Sequence, residues 1–200
     1  MMKIRTIPAL VLSLVAMPIV AISFLAYRGS FKVDRLPTLG EVTPFKLTDQ
    51  TGKEVNLDSL RGKVWVANFI FTSCTSQCPL IMMEAKKVSK ALLFKENFRM
   101  VSITIDPETD TPKQLTDYAN KWQADPYKWI FLTGSFNEIK NLMQKGLKVP
   151  TEVEGMEVMH SSKLVLVDHL AMVRGYYSAE DGHEMKKLLK DAKQLLKKAF

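Results

Sequence analysis

The chain holds two cysteines in 200 residues. Both fall in IFTSCTSQCPLIMM, residues 70–83, as Cys74 and Cys78. If the second of them opens a helix, a spacing of four brings the two sulfurs together. A helix N-terminus favours the thiolate form. Two close thiolates suit either thiol–disulfide exchange or a soft metal ion. A static disulfide is the third reading, but a bridge over so short a loop removes little chain entropy. The spacing is compatible with all three.

A metal would need further ligands, and the chain has three histidines. His183, in GHE among charged residues, reads as solvated. His169, in VDHLA, reads as a turn residue. His160, in EGMEVMHSSKLVLVD, ends a polar loop directly before a strand. If that strand lies beside Val64–Phe71, His160 can reach the cysteines. Two thiolates and an imidazole make a good donor set for copper. Met156 and Met159 flank His160 and are candidate auxiliary thioether ligands, whereas Met82 matches the apolar face of a helix and reads as core. The segment DPETD places Asp106, Glu108 and Asp110 after a strand. Asp106 is a candidate to support the cysteines from outside the ligand set, and Asp110 is a candidate cap for the helix opened by Pro112. The cluster lacks a calcium-loop signature, and the chain has no Gly-rich phosphate loop and no defensible Ser/His/Asp arrangement.

The elements that must position these residues follow from periodicity. Phe45 to Lys63 reads as a small hairpin with its turn at Asp49 to Gly52. Val64 to Phe71 is an apolar, β-rich run fit for a central strand. Met82, Ala85, Val88, Ser89 and Leu92 recur at helical spacing after Pro79. A strand at Phe98 to Ile105 follows, then a helix from Pro112 to Trp122 and a short β-like run at Lys128 to Leu132. Phe136 to Lys145 reads as a helix stopped by Gly146. Residues 147–160 read as a loop or irregular hairpin, and 163–168 with 171–177 as a hairpin. The last helix has Met185, Leu188, Leu189, Ala192, Leu195, Leu196 and Ala199 on one face. This alternation describes an α/β protein with a mixed central sheet and helices on both faces. The cysteines lie where the first main strand meets its helix, a common site position in such sheets.

With 46% hydrophobic and 24% charged residues the composition is that of a folded protein. The net charge is +7. Residues 1–35 carry five basic residues against one acidic, residues 181–200 carry six lysines against three acidic residues, and the stretch between is neutral. A nucleic-acid binder concentrates positive charge on its working surface, so no nucleic-acid partner is expected. Residues 7–27, IPALVLSLVAMPIVAISFLAY, are uncharged and long enough to span a bilayer as a helix. Lys3 and Arg5 before them favour an inside N-terminus. No A-x-A cleavage site follows. The expectation is a cytoplasmic N-terminus at 1–6, a single transmembrane anchor at 7–27, a tether at 28–40 and one domain at 41–200. That places the domain on the periplasmic side of the inner membrane.

The anchor, the FTSCTSQCP segment, the DPETDTP segment and MHSSKLVLVD occur in an order that resembles the Sco/SenC/PrrC family of copper-delivery proteins for cytochrome c oxidase. The resemblance covers residues 40–198. It implies a thioredoxin-like fold with an added N-terminal hairpin. It implies one copper per domain, Cu(I) or Cu(II), held by Cys74, Cys78 and His160 with Asp106 in support. It implies delivery to the dinuclear copper site of oxidase subunit II or a similar copper-receiving protein, with other copper chaperones or thiol reductants as further partners. Some members of the family are thought to reduce the recipient's cysteines instead, which gives Cys74 and Cys78 a catalytic thiol role as the alternative. Thr75 departs from the proline that many members carry after the first cysteine.

Overall fold

A computed structural model describes residues 36–74, 78–149 and 162–198. The central strand β4 (Val64–Ile70) is buried along its whole length. It pairs in parallel with β5 (Phe98–Thr104), which pairs in parallel with β6 (Trp129–Thr133). On its other side β4 meets β7 (Lys163–Val167) antiparallel, and β7 forms a hairpin with β8 (Met172–Ser178). The edges are β1 (Gly40–Glu41) on β8 and the hairpin β2 (Lys46–Asp49) with β3 (Glu54–Asn56) on β6. The described residues thus form one eight-stranded mixed sheet in the order β1-β8-β7-β4-β5-β6-β2-β3.

A strand buried on both faces needs helices above and below it. One face of β4, through Val64, Val66 and Ile70, packs on α2 (Cys78–Ala91), α3 (Pro112–Trp122) and α5 (Gly182–Lys198). The other, through Trp65, Ala67 and Phe69, packs on α1 (Leu57–Leu60), on α4 (Phe136–Asn141) and on the π-helical turn Leu142–Gly146 that continues α4. This is an α/β, thioredoxin-like fold. The hairpin read at Phe45–Lys63 is β2–β3. Its turn forms because the Asp49 carboxylate accepts the Thr51 and Lys53 N–H groups at 2.8 and 3.0 Å, and Gly52 takes the left-handed φ of +84° that the turn requires. The short helix α1 was not anticipated. A reciprocal Asn56–Ser59 capping box starts it.

The expected membrane-spanning anchor, and the inner-membrane, periplasm-facing location drawn from it, must be corrected. Among the described residues no helix is long and apolar enough to cross a membrane. The longest, α5, has 17 residues and carries lysines on its outer face. The stretch 7–27 on which the expectation stood lies outside the described residues. Of the stretch expected as a tether, residues 36–40 are held by the domain. Arg174 donates to the carbonyls of Leu36 and Pro37 at 2.5 and 2.8 Å, and the Leu39 N–H donates to Val173 at 2.8 Å. Arg174 is itself fixed by the buried Asp168 carboxylate at 2.6 Å.

Candidate functional site

The site grows from the C-terminal end of β4. The strand stops at Ile70, whose carbonyl still accepts the Ile105 N–H at 2.9 Å. The chain then turns, with the Cys74 N–H donating to the Phe71 carbonyl at 3.2 Å. Helix α2 begins at Cys78 itself, and Pro79 occupies its first turn, where a missing N–H costs nothing. The helix is held to the sheet by Ile81, Met82, Ala85 and Val88, all buried. Met82 is therefore core, as its spacing suggested. Its sulfur receives the Asn68 amide at 3.7 Å. Behind that contact the Ser102 hydroxyl donates to Asn68 at 2.7 Å and receives the Trp129 ring N–H at 2.8 Å. This buried polar chain ties α2, β4, β5 and β6 together one helical turn behind the cysteines.

The two cysteines stand as thiols. The Cys78 N–H, at the open end of α2, donates to the Cys74 sulfur at 3.4 Å. Such an N–H stabilises negative charge on the sulfur. Their surroundings differ. Cys74 is half-buried, while Cys78 is 3% exposed. Burial pushes the Cys78 thiol up to about 12, with the neighbouring Cys74 and Asp110 adding to the rise and a backbone bond at Phe71 opposing it. The helix N-terminus was expected to favour the thiolate at this position. For Cys78, desolvation outweighs it. Burial first, and then the charges of Cys78, Cys74 and Asp110, also lift the Tyr118 hydroxyl to about 12, so this side chain of α3 belongs to the same pocket of groups.

Of the other expected site residues, His160, Met156 and Met159 lie outside the described residues. Because β7 runs antiparallel to β4, its N-terminal end lies at the C-terminal end of β4, where the cysteines follow. The strand adjacency on which the His160 reading depended is present. His169 lies in the β7–β8 turn and His183 is exposed at the start of α5, as their contexts suggested. The Asp106 carboxylate accepts the Thr109 N–H at 3.4 Å. Asp110 does not cap α3. Thr111 does, accepting the Gln114 N–H at 3.3 Å. Asp110 instead turns inward, is fully buried, and accepts from Thr72 and Thr104. The sequence carried no signal for this, since Asp next to Thr-Pro reads equally well as a cap. Among the described residues no three His, Cys, Asp or Glu side chains converge as a metal cluster.

The family model described as SCO1/SenC matches residues 35–197. The SCO1 protein homolog of Bacillus subtilis is 36% identical over 157 residues, which is 76% of this chain and 81% of that one. The solved structure of BsSco, a member of the Sco family of cytochrome c oxidase assembly proteins in which a disulfide switch was identified, superposes with a TM-score of 0.72 at 34% identity. It covers 82% of this chain and 98% of BsSco. Copper-bound ScoI of Bradyrhizobium japonicum superposes with a TM-score of 0.63 at 27% identity, over 78% of this chain and 99% of that one. A match that runs from the first described residues through the last helix leaves no part of the domain to another lineage, and the chain belongs to the SCO1/SenC family.

Proposed function

We propose that this protein is a copper chaperone of the cytochrome c oxidase assembly pathway. In this reading it takes up one copper ion through Cys74, Cys78 and His160 and passes it to the dinuclear copper site of oxidase subunit II. The observation that carries the reading is the pair of thiols at the head of α2, with the Cys78 N–H on the Cys74 sulfur. The copper-bound ScoI relative, similar over nearly its whole length, supports copper as the cargo. The chemistry follows from the donor set. Thiolates and an imidazole satisfy Cu(I) at low coordination number, and the imidazole also suits Cu(II). Uptake releases thiol protons, and burial, which holds the Cys78 thiol protonated, makes its proton one that the incoming metal must displace. Oxidation of the pair to a disulfide removes both donors and shuts binding off. The half-buried Cys74 is the donor that an incoming ligand reaches first, so transfer begins by exchange at that sulfur.

Copper titration of the reduced full-length chain, followed by X-ray absorption, tests the reading. One equivalent bound, with two sulfurs and at least one nitrogen about the metal, is the expected result. A site with no sulfur, or none at all, overturns it.

A second reading is supported by the unequal environments of the cysteines. A more accessible attacking thiol beside a buried resolving thiol is the arrangement of a thiol–disulfide reductase. In that role Cys74 attacks a disulfide of the recipient and Cys78 releases the mixed disulfide. The two readings share the cysteines and separate at His160, which thiol exchange does not need.

A further inference from the structure

The turn that presents Cys74 is tied to the rest of the molecule by a side chain far away in sequence. Asp110 is fully buried, and a buried carboxylate is costly unless it is hydrogen-bonded. Its partners are specific. The Thr72 N–H donates to it at 3.1 Å, the Thr72 hydroxyl at 2.5 Å and the Thr104 hydroxyl at 2.5 Å. The Thr104 oxygen in turn accepts the Asp106 N–H at 3.0 Å, and the Asp110 N–H donates to the Asp106 carbonyl at 2.9 Å. The loop 105–110 thereby closes on itself and offers one carboxylate to the cysteine turn. Thr72 lies two residues before Cys74, inside the turn that the Cys74 N–H closes onto Phe71. The ordinary use of an acidic residue at this position would be to cap α3, but Thr111 does that. Asp110 is thus left free for Thr72.

We infer that Asp110 is a positioning residue for the cysteine pair: by gripping Thr72 through both its N–H and its hydroxyl, it fixes the turn that holds Cys74 against Cys78. Its role is geometric and acts through Thr72. Gripping the turn raises the effective concentration of one sulfur at the other. A loosened turn gives the dithiol more conformations and leaves the disulfide harder to close. The inference rests on the reading that Cys74 and Cys78 act as a pair, but it is independent of copper.

The experiment is a redox titration of the metal-free full-length chain with dithiothreitol and its cyclic disulfide. In it the Cys74–Cys78 bond breaks, two sulfhydryls form, and dithiothreitol supplies the two electrons and two protons as its own ring closes. Alkylation and mass measurement count the thiols. Thr72→Val and Asp110→Asn should each shift the equilibrium toward dithiol by about fivefold. The double variant should match the singles, because both cut one tie. Thr72→Ser, which keeps the hydroxyl, should behave as wild type. Ser102→Ala, which weakens the fold elsewhere, should lower the melting temperature and leave the equilibrium in place. If Asp110→Asn does not fold, Thr72→Val, at a half-buried position, carries the test alone. Equilibria for folded variants within about twofold of wild type, with only melting temperature lowered, would make Asp110 a plain structural anchor and overturn the inference. A wild-type chain that forms no Cys74–Cys78 disulfide would overturn the pair reading and the inference with it. Failure to bind copper alone would touch neither.

Discussion

Ala67 on β4 lies opposite Val165 on β7 in an antiparallel pair. The direction of that pairing decides at which end of the sheet β7 begins. It begins at the end where β4 gives way to Cys74 and Cys78. His160 precedes β7 by three residues in the sequence, and Lys163, the first residue of β7, lies at that end. The same pairing in the parallel sense would have put it at the opposite end.

The first prediction concerns that histidine. His160→Ala should weaken copper binding to the reduced full-length chain by at least about tenfold, the loss of one good ligand. His183→Ala, on the exposed start of α5, should leave binding unchanged. Competition against a chromophoric Cu(I) chelator reads both. Equal affinity for wild type and His160→Ala would sink the three-ligand site and leave the thiol chemistry standing. Reduction of a partner disulfide should survive the same substitution.

The cysteines should also be distinguishable by reactivity. Cys74 is half-buried and its sulfur accepts a helix N–H, whereas Cys78 is 3% exposed and its thiol is held protonated. Limited iodoacetamide at neutral pH should therefore label Cys74 first, by at least about tenfold in rate. Peptide mass mapping at short times is the measurement. Preferential labelling of Cys78 would reverse the assignment of attacking and resolving thiols.

Most of the frame around these cysteines was legible in the sequence, because burial on both faces leaves a plain trace. Val64–Phe71 reads as an apolar run, and the strand within it, Val64–Ile70, is buried throughout. The 3.6-residue spacing of Met82, Ala85, Val88 and Ser89 fixes the buried face of α2 without any tertiary information. Two kinds of feature were not legible. One is the fate of a polar residue with two good local uses. Asp110 and Thr111 compete for the same cap, and only the tertiary position of Thr72 decides which turns inward. The other is the balance of opposing effects at one atom. A helix N-terminus and burial act on the Cys78 thiol with opposite signs, and how far each acts depends on packing that spacing does not reveal. The membrane anchor belongs to neither kind, since it was read from residues 7–27, outside the described residues.

Burial of Cys78 has a consequence for pH. Its thiol is raised from the ordinary value of 9.0 to about 12 in the folded chain, mainly by desolvation. A raised value means that the unfolded chain loses this proton first. The stabilisation is thus complete below 9.0 and is lost as the pH climbs from there toward about 12. Reduced wild type should be more stable than Cys78→Ala at neutral pH, and the gap should narrow above pH 9.0. Other side chains titrate in that range, so the quantity that matters is the difference between the two proteins in urea unfolding at matched pH. A gap that stays constant to pH 10.5, at which about 3% of a thiol of pKa 12 is ionised but nearly all of one of pKa 9, would show that Cys78 ionises alike in both states.

The polar chain behind α2 gives the sharpest stability test. Ser102 donates to Asn68 and accepts from Trp129, and all three side chains are buried. Removing the hydroxyl leaves an indole N–H and an amide oxygen without their partner in a dry core, and stranding buried polar groups in this way costs about 1–3 kcal/mol. The volume lost is one oxygen atom, so packing contributes little. Ser102→Ala should therefore lower stability by about 2 kcal/mol and free the Asn68 amide to shift at the Met82 sulfur. Pairing it with Trp129→Phe, which deletes the orphaned donor, should cost less than the sum of the two single changes. Urea unfolding of the four proteins in the cycle measures that coupling. Strict additivity would mean that Ser102 and Trp129 do not share a hydrogen bond. The polar chain would then not run from Trp129 through Ser102 to the Asn68 amide that meets the Met82 sulfur.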